Sequence, residues 1–115
     1  MSQPLLSADA IRSAVDLKHE IVTVSEWGGD VRIQQLGAAE MTEFTQSLHT
    51  VEGEKEGMYV MLIYCLRDAE GNRLFSMDDL PILRNKNFSV MNRLQSLALT
   101  LNQMDKVSKA ALKKD

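Results

Sequence analysis

The sequence predicts an α+β fold: a mainly α-helical single domain with one β-hairpin at about residues 21–36 and four to five helices. Three observations support it. The chain has 115 residues, a usual length for one domain. Two glycines, Gly28 and Gly29, separate two runs rich in β-branched residues. Several other segments repeat apolar residues every three to four positions, which is the period of an amphipathic helix.

The composition is typical of a globular chain. Hydrophobic residues make up 44% and charged residues 25%, with a net charge of −3 that argues against a nucleic-acid-binding protein. Cys65 is the sole cysteine and cannot form an internal disulfide, which favours a reducing cytoplasm. The longest apolar run, 58–66, is too short to cross a bilayer. We therefore expect one domain over 1–115, with flexible ends at 1–6 and about 108–115, and neither nucleic acid nor membrane as a partner.

The hairpin prediction depends on the two glycines, because a tight hairpin turn needs residues with positive φ. With Gly28-Gly29 as a two-residue loop, Val24 pairs with Ile33 and Trp27 pairs with Asp30. This register puts four apolar side chains on one face, namely those of Val22, Val24, Val31 and Ile33.

Trp27 falls on the other face of the predicted hairpin, at its tip. An exposed tryptophan there would be a candidate anchor for a partner protein. The alternative is a tryptophan that a neighbouring helix covers.

Helices are expected where the apolar period is three to four residues. Ser7 is the expected cap of the first helix, and Pro81 is expected to distort or shorten the fourth. The third segment is apolar on nearly all sides, so a buried strand fits it as well, although we favour a helix. The predicted helices cover residues 8–16, 38–50, 58–67, 77–84 and, from a cap at Asn87 or Ser89, about 88–110.

The last helix carries a heptad-like stripe at spacings of 4, 3, 4 and 3. The stripe consists of Val90, Leu94, Leu97, Leu101 and Met104. One interpretation is an edge helix packed against the core. The other is a contact surface for a second copy or a partner. Under the second interpretation, the candidate partner-binding residues are Trp27, Leu94, Leu97, Leu101 and Met104.

Seven methionines are many for 115 residues. Methionine is flexible and polarizable, and therefore suits surfaces that adapt to partners. Core filling is the alternative, because Met41, Met58, Met61 and Met104 fall on apolar faces.

No motif indicates catalysis or a cofactor. His19, His49 and Cys65 lack the spacing of a metal site. The adjacent carboxylates Asp78 and Asp79 lie where a helix start favours negative charge, so capping explains them. We therefore expect no catalytic residue, no cofactor-binding residue and no metal ligand, and a protein that is not an enzyme.

Three segments in order, 7–12, 24–33 and 65–75, carry a resemblance to a known family. They contain an N-terminal capped helix, the sequence Glu-Trp-Gly-Gly, and the pattern C-L-x-D-x-x-G-x-x-L-F. In this order they resemble the tail assembly chaperones of long-tailed bacteriophages and prophages. Pro81 and the segment 37–40 depart from the family pattern, which affects the expected helix boundaries.

The resemblance implies a non-enzymatic role in the host bacterial cytoplasm. It implies that the tape measure protein is held soluble until the tail tube protein polymerises around it. It also implies that the chaperone is absent from the finished virion, and that a longer product can arise by frameshifting near Lys113-Lys114. A structural minor tail or connector protein remains the first alternative, and a small DNA-associated protein the second. Self-association as a homo-oligomer is left open.

Overall fold

The computed structural model describes residues 4–50 and 56–104. Within these ranges the chain forms five α-helices and a three-stranded antiparallel sheet, which confirms the predicted α+β class. The strands are β1 (His19–Val24), β2 (Gly29–Gln34) and β3 (Leu66–Arg67). The helices are α1 (Ala8–Ser13), α2 (Ala38–Leu48), α3 (Gly57–Cys65), α4 (Leu80–Arg84) and α5 (Phe88–Leu101).

The hairpin forms, but its predicted register is wrong. Val24 pairs with Gly29 rather than with Ile33, a shift of four residues. The shift arises because the connection is longer than two residues: a 3-10 turn, Ser25–Trp27, is followed by Gly28 at a φ of 77°. That left-handed conformation suits glycine.

The predicted faces of the hairpin are correct even though the predicted register is wrong. Side chains alternate along a strand, so a shift by an even number of residues keeps each one on its face. Val24 and Ile33 are buried, while Val22 and Val31 are half-buried against the same core.

The third strand was not predicted. Arg32 pairs with Arg67 and Ile33 pairs with Leu66, so the sheet order is β1-β2-β3. Two residues are too few to show an alternating pattern. The helix predicted over 58–67 is confirmed as α3, but it ends at Cys65.

Helix α3 lies at the centre of the molecule. It packs against α2, α4, α5 and β2, and its side chains from Val60 to Cys65 are all buried. This central position explains why its sequence is apolar on every side.

The helix ends follow the capping residues. The Ser7 hydroxyl accepts a hydrogen bond from the Ala10 N–H, and α1 then ends at Ser13, before the predicted 16. Asn87, not Ser89, caps α5, because its side chain accepts the Val90 N–H at 3.1 Å.

Two other predicted helices differ from expectation at their ends. The segment 77–84 is split into a 3-10 turn, Met77–Asp79, and the short α4, with Pro81 in the first turn of α4. Helix α5 ends at Leu101 instead of about 110, because a turn follows in which Gln103 has a φ of 59°. The ends expected to be flexible, 1–6 and about 108–115, lie outside the described residues except for 4–6.

Candidate functional site

Helix α5, which carries the apolar stripe, runs alongside the hairpin. Near its start, the Arg93 guanidinium lies 3.2 Å from a carboxylate oxygen of Glu26 at the hairpin tip. Just beyond its end, the Asn102 side chain accepts the Leu36 N–H at 2.9 Å. Because β2 runs from the tip towards Leu36, α5 and β2 point in the same direction.

The inner half of the stripe belongs to the core. Val90 and Leu94 each have an exposed fraction of 0%, as does Ala98, which lies one turn after Leu94 but is not part of the stripe. Leu94, predicted as a partner-binding residue, is fully buried in the core, so its side chain is not exposed to a partner in this fold. Leu94 fits the spacing of the stripe because apolar residues that face the core recur with the same period as apolar residues on a partner-binding face.

The outer half of the stripe is half-buried and borders solvent. Leu97, Leu101 and Met104 pack against the edge of the core. Leu97 and Leu101 also line a groove of about 340 Å³ between the C-terminal half of α5 and the base of the hairpin. We call it the α5 groove. Its other lining residues are Lys18, Glu20, Gln35, Thr100 and Gln103.

Hydrogen bonds fix the two walls of the α5 groove to each other. The Gln35 amide donates to the Leu101 carbonyl at 2.8 Å, and its oxygen accepts the Lys18 N–H at 2.8 Å. The Asn102 amide also donates to the Ala98 carbonyl. The end of α5 and the base of the sheet therefore form one preorganised surface rather than two separate elements.

Trp27 lies at the hairpin tip, where its exposed fraction is 37%. The structure does not bring it together with the α5 groove. Its neighbour Glu26 contacts Arg93, and Leu101 is eight residues further, about 12 Å along the helix. Trp27 is thus a separate exposed aromatic side chain, neither fully covered nor part of the groove.

The methionines support the core-filling alternative. Met61 and Met91 are buried, with exposed fractions of 1% each. The other methionines in the described ranges are half-buried against the core, namely Met41, Met58, Met77 and Met104. Met104 alone of these was also a candidate partner residue, and it lies just beyond the groove.

The side chains considered for metal or acid–base chemistry are dispersed. No group of three or more histidine, cysteine or acidic residues is placed to hold a metal ion within 4–50 and 56–104. His19 and His49 are exposed, whereas Cys65 is fully buried, and burial raises the pKa of its thiol to about 12. The Asp79 carboxylate accepts the Ser76 N–H at 2.8 Å, which confirms its capping role.

The segment 65–75, one of the three that carry the family resemblance, contains a hydrogen-bonded turn after β3. The Asp68 carboxylate accepts the N–H groups of Glu70 and Asn72, both at 2.9 Å, and these backbone hydrogen bonds lower its pKa. Gly71 has a φ of 88°, and its carbonyl accepts a hydrogen bond from Arg67 at 3.0 Å. The motif therefore has a structural role in this chain.

An ion pair between a buried arginine and a half-buried glutamate, which the sequence did not predict, ties this turn to α2. Arg67, with an exposed fraction of 7%, donates to Glu40 at 2.7 Å. Arg73 pairs with the same carboxylate at 3.2 Å and stacks over the Tyr64 ring, 4.2 Å from its centroid. The signal present in the sequence was an arginine directly after a fully apolar run, since a charge at such a position needs a partner.

Burial of the Glu40 carboxylate raises its pKa, but hydrogen bonds from Arg67, from the Gly37 N–H and from Arg73, together with the positive charge of Arg67, lower it by more. The net result is a pKa below the ordinary value, so Glu40 is a carboxylate at neutral pH.

No protein-family model and no curated protein matches the sequence. Among solved structures, the chain is similar to that of the bacteriophage HK97 tail assembly chaperone, with a TM-score of 0.58 and 23% sequence identity. The similarity covers 81% of this chain and 90% of that chain. The chain therefore has the fold of a phage tail assembly chaperone, which confirms at the level of fold the resemblance seen in the motifs. Within the described residues, no helix is long and apolar enough to span a membrane.

Proposed function

We propose that this protein is a phage tail assembly chaperone that binds the tape measure protein in the host cytoplasm and helps tail tube assembly without catalysis. The observation that carries the proposal is the shared fold with the HK97 tail assembly chaperone over 81% of the chain. The ordered motifs in segments 7–12, 24–33 and 65–75 support it independently of the fold.

The α5 groove is the proposed contact site for the tape measure protein. A chaperone that keeps a client soluble needs an apolar surface that solvent can reach, and Leu97 and Leu101 provide one. Met104 extends this surface with a flexible side chain. Trp27 is proposed as a second, separate contact, since an aromatic side chain exposed at a turn is a common anchor.

Co-purification tests this function. The protein would be expressed with the tape measure protein of the same phage genome, and a tag on one chain used to recover the other. We expect the wild-type protein to recover the tape measure protein and the double variant Leu97→Glu, Leu101→Glu to lose it. Phe88→Glu is the matched control, because Phe88 lies on the same helix, is 69% exposed, and does not line the groove.

A charge in a half-buried position can unfold a domain, so milder variants accompany the double variant. Leu97→Thr and Leu101→Thr shorten the apolar side chains without adding charge, and thermal unfolding followed by circular dichroism reports whether each variant folds. Folded variants that still recover the tape measure protein would exclude the groove as the site.

Mass spectrometry of purified phage particles separates this function from a structural minor tail or connector role. A chaperone should be absent from the particle, and a stoichiometric amount of this chain in the virion would overturn the proposal. The same co-expression with the tail tube protein tests whether that protein is a second partner.

A further inference from the structure

Residues 4–17, which we call the N-terminal arm, extend from the domain with all of their side chains exposed. Helix α1, within the arm, has no buried residue. Among the described residues, the hydrogen bonds and ion pairs of 4–17 all join residues of the arm itself. Five large apolar side chains of the arm are therefore open to solvent. With exposed fractions between 40% and 100%, they are Leu5, Leu6, Ile11, Val15 and Leu17.

The sequence of the arm has the pattern of an amphipathic helix that is longer than α1. At about 100° per residue, the side chains of 8–17 separate into two faces. The polar face consists of Asp9, Arg12, Ser13 and Asp16. The apolar face consists of Ala8, Ala10, Ile11, Ala14, Val15 and Leu17. Helix α1 nevertheless ends at Ser13. Since a short helix gains most of its stability from packing of its apolar face, the exposure of that face explains the early end.

The α5 groove begins where the arm ends. Lys18 lines the groove, and its backbone N–H and carbonyl are both hydrogen-bonded to Gln35. Leu17, the last residue of the arm, lies next to the start of α2, where a Cβ on Gly37 would be 3.9 Å from a methyl group of Leu17. The arm therefore leaves the domain at the rim of the groove. In the single chain, however, none of residues 4–17 lines that groove.

The apolar residues of the arm and of α5 have matching spacings. On the arm the intervals are three and four residues, for Ala8, Ile11 and Val15. On the solvent-bordering side of α5 they are four and three, for Leu97, Leu101 and Met104. Two antiparallel helices with these intervals can place the side chains of one between those of the other. The polar face of the arm, with the ion pair of Asp9 and Arg12, would then stay in solvent, so that no charge is buried.

We propose that the N-terminal arm of one copy of this chain docks as an amphipathic helix in the α5 groove of a second copy, whose arm docks reciprocally in the first. Because arm and groove meet at Lys18, a two-fold axis beside this residue brings each arm to the groove of the other copy. Exchange of an identical element is a low-cost route to a dimer. The inference does not rest on the proposed function, although a client that binds the same groove would have to displace the arm.

A second copy fits better than another occupant because each chain offers one exposed arm and one uncovered groove of matching spacing. Reciprocal docking covers both in both copies. The area is also sufficient. Each large apolar side chain removes roughly 100 Å² from water on burial, so the two arms together bury roughly 1,000 Å². The groove surface beneath them raises the total into the range of about 1,200–2,000 Å² that stable interfaces bury.

Analytical ultracentrifugation of the full chain tests the exchange. We expect the wild-type chain to sediment with the mass of two copies at high concentration. The double variant Ile11→Ser, Val15→Ser should raise the dissociation constant about a hundredfold, because a dimer loses four apolar contacts. Both side chains are exposed in the single chain, so the domain itself should stay folded. Arg12→Ser is the matched control: it lies on the polar face of the same helix and should leave the dimer intact.

A mixture of two variants distinguishes docking of arm in groove from other ways of pairing. The double variant Leu97→Thr, Leu101→Thr keeps the arm and impairs the groove, whereas the arm variant keeps the groove. We expect each to be monomeric alone where the wild-type chain is dimeric. Their equimolar mixture should form a heterodimer through one intact arm and one intact groove. If the arms paired only with each other, the groove variant would dimerise alone.

A fluorescent peptide of residues 4–17 keeps the test decisive if the groove variant does not fold. Polarisation should show that it binds the Ile11→Ser, Val15→Ser chain, whose groove is vacant, and that the same peptide with both serine substitutions does not. Equal binding of the two peptides would contradict docking through the apolar face.

The remaining outcomes also decide the question. A wild-type chain that is monomeric at every concentration would overturn the proposal, because the arm then has no second copy to dock on. A dimer that survives the arm substitutions, or an assembly larger than two copies, would overturn reciprocal exchange. Since no client is present in these experiments, their results are independent of whether the proposed function is correct.

Discussion

Arg67 and Glu40, 27 residues apart in the sequence, form an ion pair of 2.7 Å between β3 and the first turn of α2. Arg67 also donates to the carbonyls of Tyr64 and Gly71, so a single buried guanidinium links the end of α3, the 65–75 turn and α2. The pair therefore holds the short third strand in place next to β2.

Removal of the Glu40 carboxylate should destabilise the domain. Glu40→Ala leaves the buried Arg67 charge without its carboxylate, and we expect a loss of about 2–4 kcal/mol in the free energy of unfolding. Urea denaturation measures it. The matched control is Glu43→Ala: Glu43 is more exposed and lies 3.4 Å from Arg73, so its loss should cost less than about 0.5 kcal/mol. Equal losses for the two variants would contradict the structural role of the buried pair.

The same carboxylate makes stability depend on pH. Its pKa is lowered in the folded protein, so the stability that it contributes is present above the ordinary value of 4.5 and is lost as the pH falls through the folded value. We expect the wild-type protein to lose stability more steeply than Glu40→Gln as the pH falls below 4.5. Thermal unfolding at several pH values tests this, and parallel pH profiles would show that Glu40 is not the group responsible.

Gly71 should resist substitution. Its φ of 88° is costly for any residue with a side chain, and a Cβ there would lie 3.4 Å from the Gln34 amide oxygen. We expect Gly71→Ala to cost about 1–2 kcal/mol of unfolding free energy. Gly29→Ala is the control, because a Cβ at Gly29 would have no heavy atom within 4 Å and the φ of Gly29 is ordinary. A stable Gly71→Ala variant would mean that the turn adopts another conformation.

Cys65 should be unreactive in the folded protein. Burial raises the pKa of its thiol to about 12, and its exposed fraction is 0%. At pH 8 the thiolate that reacts with a disulfide reagent is therefore scarce and inaccessible. We expect labelling to be slow in buffer and rapid in urea, with absorbance of the released thiol as the signal. Rapid labelling in buffer would indicate that α3 opens readily.

Structural features that follow from a repeating pattern of apolar residues could be predicted from the sequence. Features that depend on one contact between residues distant in the sequence could not. The predicted faces of the hairpin are correct, because a shift by an even number of residues leaves each side chain on the same face. The predicted register is wrong, because the 3-10 turn Ser25–Trp27 has no apolar period by which the sequence could indicate it. The two-residue β3 contains Arg67, whose ion pair with Glu40 joins residues that are distant in the sequence, and no local pattern encodes that contact.

The candidate site could be predicted only in part, because a repeating apolar pattern indicates a helix but not which of its residues border solvent. The apolar stripe identified α5 correctly, but spacing cannot tell the buried Leu94 from the solvent-bordering Leu97 and Leu101. That distinction depends on where Gln35 and Asn102 fix the end of α5 to the sheet. The groove appears only once the chain is folded.

The solubility of the tape measure protein in cells tests the central claim most directly. The tape measure protein would be expressed alone, with the wild-type chain, and with the folded Leu97→Thr and Leu101→Thr variants, and its soluble fraction measured after centrifugation. We predict that the wild-type chain keeps it soluble, that the groove variants do so poorly, and that Phe88→Glu matches wild type. A tape measure protein that is equally soluble or insoluble under all these conditions would contradict the account.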